Sequence, residues 1–336
     1  MKLRLAEVAR QAEVSEATVS RVLNGKPGVA QATRDAVLTA VDVLGYEVPT
    51  RLRPRGGALV GLITPELTNP IFPAFAQTIE SVLAASGLTP VLCTQTTGGI
   101  HEDAYVRMLL DRGVVGIICV SGQHADTRES MDRYARLIEQ GMPLVLINGR
   151  REGVPATFVS SDDELAVEQV VRHLFELGHR RIGLGVGPAH YVPVREKVAA
   201  FHRVLGELLP DLDPREAVVH SLFTVEGGAS AARELIERGH TGVFFGSDIM
   251  ALGAIRQARR MGLSVPRDLS VVGYDDSPLM GFTDPPLTTV RQSVIEMSEV
   301  AARALVDQIR GVDLPARELM FTPELVVRAS TAGAPS

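Results

Sequence analysis

The sequence has no tryptophan, only two cysteines and only three lysines (Lys2, Lys26 and Lys197), and aromatic residues make up 4% of it. Cys93 and Cys119 each fall in a strand-like apolar run, 90–94 and 114–120, which excludes a disulfide scaffold and a multi-cysteine metal site. They read as small core residues in a reducing cytoplasm. Apolar runs end after about six to eight residues, against about 20 for a membrane-spanning helix. Residues 1–10 lack the apolar stretch of a secretory signal. The eight histidines are scattered without metal-ligand spacing, and no Gly-x-Ser-x-Gly, Walker or His-Glu-x-x-His pattern occurs. Gly183-x-Gly185-x-Gly187-Pro188 departs from a dinucleotide fingerprint, and Asp275-Asp276 has no nucleophile or base beside it. Neither enzymatic activity nor a metal or cofactor is expected.

What is present is a large core and an uneven charge. With 336 residues, 45% of them hydrophobic and 22% charged, the chain has the size of about two domains and is not disordered. Residues 1–58 carry nine basic residues against six acidic ones, so a surplus of three sits on an otherwise acidic protein whose total is −6. A basic head on an acidic body points to a polyanion bound by the head.

Leu5, Val8, Ala9 and Ala12 follow helical spacing. Ser15 is placed to cap a second helix reaching Asn24, with Val19, Val22 and Leu23 inward. A third helix carries Val37, Ala40, Val41 and Leu44 on one face and stops at Gly45. Residues 1–46 thus form a compact head. Residues 47–57, rich in proline, arginine and glycine, form a linker. Beyond it, nine strands (58–64, 89–94, 115–120, 144–147, 156–159, 182–186, 218–221, 242–246 and 270–274) alternate with helices at 72–85, 101–112, 131–140, 164–177, 195–208, 227–238, 249–261 and 294–309. This alternation implies parallel sheets covered by helices, and nine strands imply two α/β lobes.

The stretch from Val8 to Gly25, above all Ala17-Thr18-Val19-Ser20-Arg21-Val22-Leu23-Asn24, resembles the helix-turn-helix of the LacI/GalR family of transcriptional regulators. The resemblance continues through Gly61-Leu62-Ile63, Asn69-Pro70-Ile71-Phe72, Leu177-Gly178-His179-Arg180-Arg181-Ile182, Met250-Ala251-Leu252-Gly253-Ala254, Val272-Gly273-Tyr274-Asp275-Asp276 and Pro285-Pro286-Leu287-Thr288-Thr289-Val290, and so spans the chain. It implies a fold in which a periplasmic-binding-protein-like body follows the head: an N-terminal lobe of 58–160 plus 291–320, a C-terminal lobe of 161–290 plus 321–330, and a tail of 331–336. It also implies a homodimer on a near-palindromic double-stranded DNA operator, with a small effector held between the lobes, in the cytoplasm at the nucleoid.

In that setting Ser15, Glu16, Ala17 and Arg21 lie at the tip that enters the major groove, where Arg21 can bond guanine bidentately. Thr18, Ser20 and Asn24 suit phosphates. The same helix could equally be the solvated face of an ordinary bundle. Glu13 stands where the family has glycine, which strains the turn if its φ is positive. The linker is shorter than in relatives and holds Pro54. Leu52 is a minor-groove wedge, or Arg51, Arg53 and Arg55 are extended minor-groove arms, or the segment is a plain tether.

Ligands of open α/β sheets bind beyond the carboxyl ends of strands, where Asn148, Ser247 and Asp275 fall. Asp248 reads as the N-cap of its helix rather than as a ligand. By the resemblance, Phe72, Tyr191 and Phe223 face the effector, and Lys197 stands where many relatives have an arginine. A compact ammonium suits hydroxyls better than a planar carboxylate, which favours a neutral sugar. Residues 192–197, the short linker and residues 100–112 are most similar to maltose-operon repressors within the family. The rival reading is a free sugar-binding or sugar-modifying α/β protein with an incidental head.

Overall fold

The computed structural model describes residues 5–23, 28–44, 57–95, 98–210, 213–312 and 315–335. Two units separate by contacts, a head and a body. In the head, α1 (Leu5–Gln11), α2 (Glu16–Leu23) and α3 (Gln31–Leu44) pack around buried Val8, Ala9, Val19, Val22, Val37 and Ala40. The helical spacing of these residues puts them on the inner faces.

In the body, the first sheet has the order β11-β5-β4-β3-β1-β2. Its strands are β1 (Leu59–Thr64), β2 (Thr89–Thr94), β3 (Ile117–Val120), β4 (Leu144–Ile147), β5 (Thr157–Ser161) and β11 (Arg317–Phe321). The second has the order β12-β10-β9-β8-β6-β7. Its strands are β6 (Ile182–Val186), β7 (Val218–His220), β8 (Gly242–Phe245), β9 (Ser270–Asp275), β10 (Thr288–Arg291) and β12 (Glu324–Val326). Strands β3 and β4 are buried at every position, as parallel strands covered on both faces must be. Each such Ile, Leu or Val stabilises the fold by about 1.5–3 kcal/mol.

The covering helices are α4 (Ile71–Ala85), α5 (Glu102–Asp111), α6 (Asp132–Glu139), α7 (Asp163–Glu176), α8 (Val192–Leu208), α9 (Val225–Glu237), α10 (Asp248–Arg260) and α11 (Val294–Ile309). Helix α11 follows a strand of the second sheet yet packs on β3, β4 and β5 of the first. The chain therefore passes between the sheets after β5, after β10 and after β11.

Three differences from the sequence reading have local causes. Strands β10, β11 and β12 add to the nine expected. They are short, and two lie at sheet edges, where exposed polar residues blur the apolar alternation. β12 runs antiparallel to β10, so the second sheet is not wholly parallel. Helix α8 starts at Val192 rather than 195, because Pro193 lies in the first turn, where its missing N–H costs nothing.

Candidate functional site

In the head, the turn between α1 and α2 closes through Val14 N–H to Ala9 O (2.9 Å), which requires Glu13 at φ 52°. The left-handed conformation that glycine adopts freely is thus held here by a residue with a Cβ. Ser15 Oγ accepts the Thr18 N–H at 3.1 Å and caps α2. Glu16, Ala17, Ser20 and Arg21 then fall on one face, opposite buried Val19 and Val22. Ser15, Glu16, Ala17 and Arg21 are exposed, while Thr18 and Ser20 are half-buried. Asn24, Arg51, Leu52, Arg53 and Arg55 lie outside the described residues.

In the body, the candidate residues gather at the carboxyl ends of strands. Among the described residues, four of the five non-glycine positive-φ positions are there: Ser121 after β3, Asn148 after β4, and Asp275 and Asp276 at the end of β9. Such strain of about 1–3 kcal/mol per residue persists only where surrounding bonds impose it. Asn148 Nδ2 donates to Ser121 Oγ at 3.0 Å, and His124 Nε2 bonds the Asn148 carbonyl at 2.6 Å. Buried Asp275 accepts from Gln292 Nε2 at 2.7 Å and from Asn69 Nδ2, of the other lobe, at 3.4 Å. Burial and the Asp248 charge push the Asp275 carboxyl well above the usual range, against the pull of those two donors and of Lys197. Asp276 is paired with Arg291 at 2.8 Å and Arg328 at 2.6 Å.

A second inter-lobe contact joins residues 126–127 to residues 190–191. Thr127 donates through both N–H (2.8 Å) and Oγ1 (2.9 Å) to the His190 carbonyl, and Asp126 bridges Tyr191. Tyr191, at the N-cap position of α8, is therefore anchored from both lobes. Phe223 is seated on Gly187, where a Cβ would lie 2.0 Å from the ring; only glycine lets the ring lie over the end of β6. Phe72 is half-buried in the first turn of α4.

Two expected roles change. Ser247, not Asp248, caps α10, accepting the Met250 N–H at 3.4 Å. Asp248 points inward instead, taking the Ser277 N–H at 2.7 Å and the Thr289 hydroxyl at 2.5 Å, and burial raises its carboxyl to about 6. Lys197 bonds Asp163 at 2.6 Å, and both side chains are buried. Asn69, Gln292 and Asp163 were not singled out from sequence. Asn69 lies inside the Asn69-Pro70-Ile71-Phe72 stretch, but its partner is 206 residues away. Two surface cavities, of about 540 and 610 Å³, contain none of these cleft residues. The polar convergence, not a void, marks the site.

Residues 4–48 match the bacterial regulatory proteins of the lacI family, and residues 171–331 match the periplasmic binding protein-like domain. The transcriptional regulator MalR of Streptomyces coelicolor is 58% identical over all of this chain and 98% of its own length. The chain belongs to the LacI family. It is a DNA-binding transcriptional regulator, with the head-and-body fold that the sequence implied. The ribose operon repressor of Halalkalibacterium halodurans is 32% identical over 98% of this chain and 97% of its own. Among solved structures, the regulator CelR in complex with cellobiose matches at a TM-score of 0.72 and 32% identity, covering 98% of this chain and 99% of that one. The lac repressor dimer bound to operator and an anti-inducer matches at 0.71 and 27%, covering 99% and 100%. Among the described residues no helix is long and apolar enough to cross a membrane, and no group of His, Cys, Asp or Glu is arranged to hold a metal ion.

Proposed function

We propose that this regulator is a cytoplasmic homodimeric repressor of sugar-utilisation genes, controlled by a neutral sugar of the maltose or maltodextrin type bound between the lobes. The observation that carries the reading is the cleft's composition. Asn148 after β4, Asp275 at the end of β9, Tyr191 at the N-cap of α8 and Phe223 over the end of β6 supply amide, carboxyl and phenol groups suited to hydroxyls and aromatic rings suited to the apolar face of a sugar. The MalR name of a 58% identical relative and the cellobiose complex of a structural neighbour support the sugar class. Tyr191 and Asp275 also belong to the contacts between lobes, so a ligand touching them biases one lobe arrangement over another.

In the head, Glu16, Ala17 and Arg21 read base edges while Thr18 and Ser20 meet phosphates; Asn24, Leu52 and the three linker arginines complete the DNA set. The dimer face is assigned to the second lobe, where Phe282 is 87% and Leu279 66% exposed. They adjoin the 540 Å³ cavity lined by Leu252, Ile255, Arg256, Arg259 and Asp284.

The test is selection of an operator from a random DNA pool by the full chain, followed by titration of that operator with maltose, cellobiose and ribose present in turn. Maltose is expected to change operator affinity at least tenfold and ribose to leave it unaltered. A protein that selects no sequence, or whose affinity no sugar changes, overturns the reading.

A further inference from the structure

We propose that Asp163 sets the charge class of the effector: by holding the Lys197 ammonium in a buried pair, it closes the cleft to anions and leaves it open to neutral polyols. The inference rests on the neutral-sugar reading above and names the residue responsible for it. Lys197 Nζ lies 2.6 Å from Asp163 Oδ1 and 4.0 Å from the centre of the Tyr274 ring. The Tyr274 hydroxyl donates to the same Oδ1 at 2.5 Å. All three residues are almost fully buried, at 6% exposure for Lys197, 7% for Asp163 and 3% for Tyr274. The cation is thus enclosed by a carboxylate and a ring at the carboxyl edge of the second sheet, one residue from Asp275.

The other charged groups nearby are acids or cations that already have a partner, as Arg150 has Glu318 at 3.3 Å. Asp275 and Asp248 are buried nearby, while Asp276 is matched by its two arginines. Glu196, next to Lys197 in α8, feels the charges of Asp163, Lys197, Glu318 and Asp162. Partial loss of solvent, and then the Asp163 charge, raise the Glu196 carboxyl to about 7. With Lys197 neutralised, an entering phosphate or carboxylate meets buried acids and no unmatched cation among the described floor residues. A hydroxyl can still hydrogen-bond the Asp275 carboxyl group, which has an acceptor oxygen in either protonation state. In a poorly solvated site an anion stripped of water and given no free cation carries a large desolvation cost, which is a strong bar.

The test is calorimetric titration of the full chain with maltose and maltose 6′-phosphate, and with ribose and ribose 5-phosphate. The wild type is expected to bind a neutral sugar at least 100-fold tighter than its phosphate. Asp163→Asn frees the ammonium and narrows that ratio at least tenfold by gaining phosphate affinity, whereas Asp163→Glu, which keeps the pair, leaves the ratio unchanged. If Asp163→Asn does not fold, Lys197→Arg serves instead. Its planar fork has more donors than Asp163 accepts, so the ratio narrows at least threefold. Equal wild-type affinity for the two forms, or a folded Asp163→Asn or Lys197→Arg variant with an unmoved ratio, overturns the role of Asp163 while leaving the sugar reading standing. A wild type that binds no neutral sugar overturns both.

Discussion

Glu13 and Asp248 each accept a local cost for the sake of a neighbouring arrangement. Glu13 holds φ 52° so that Val14 can turn back onto Ala9, at about 1 kcal/mol relative to glycine. Glu13→Gly is therefore expected to stabilise the head by about that amount. Hydrogen exchange at the Val19 and Val22 amides of the full chain would slow several-fold, and unchanged exchange would show that the turn is not strained. Asp248 is fully buried, with its carboxyl raised from 3.8 to about 6. The folded state binds that proton more tightly than the unfolded state. The associated stability is full below about pH 4 and lost as pH rises through about 6. The Asp275 carboxyl, raised by burial and by Asp248, acts in the same direction. Between pH 4 and 6.5 the urea midpoint of the wild type should thus fall relative to that of Asp248→Asn; parallel pH profiles would refute the assignment.

At the scale of elements, α2 combines a cap, a buried stripe and a polar face within eight residues. A helix this short is marginal alone, so its order comes from Ser15 and from Val19 and Val22 packed against α1 and α3. That rigidity keeps Arg21 aimed outward. Arg21→Ala is expected to weaken operator binding by about 1–3 kcal/mol and relax the preference at one base pair, with little change on random DNA. Affinity measured on operator and random DNA at one salt concentration checks this. Equal loss on both would make Arg21 a phosphate contact.

For the whole molecule, the body's two sheets are joined by three chain crossings and by polar contacts at Asp275 and at residues 126–127. An effector can act only by favouring one arrangement of these lobes. In the proposed homodimer, control of DNA depends on two copies moving together, which gives Phe282 its expected part. Burying one such ring per copy contributes about 1.5–3 kcal/mol, twice over in a two-fold interface. Phe282→Asp should shift the sedimentation profile from dimer toward monomer at micromolar concentration and weaken operator binding with it. An unaltered dimer would move the interface to another face.

Much of this was legible in the residues alone. The helical spacing of Val8, Val19, Val22, Val37 and Ala40 marks the head. Fully apolar runs such as 144–147 mark buried parallel strands, and Ser15 marks a helix start. Each is a local pattern, set by the period of the backbone and read within one element. Edge strands β11 and β12 escaped because their faces are half solvated and their alternation is weak. The polar assignments divided along the same line. Asn148 and Asp275 could be placed at strand ends, because a strand's carboxyl end is a local property. That Lys197 meets Asp163, 34 residues away, and that Asp275 reaches Asn69, 206 residues away, could not be read this way. A buried carboxylate or ammonium takes whichever partner the crossings of the chain bring within about 3 Å, and hydrophobic periodicity carries no record of that choice. Sequence alone thus determined the two-part architecture and the capped second helix of the head, whereas tertiary packing decided which charges in the cleft are matched.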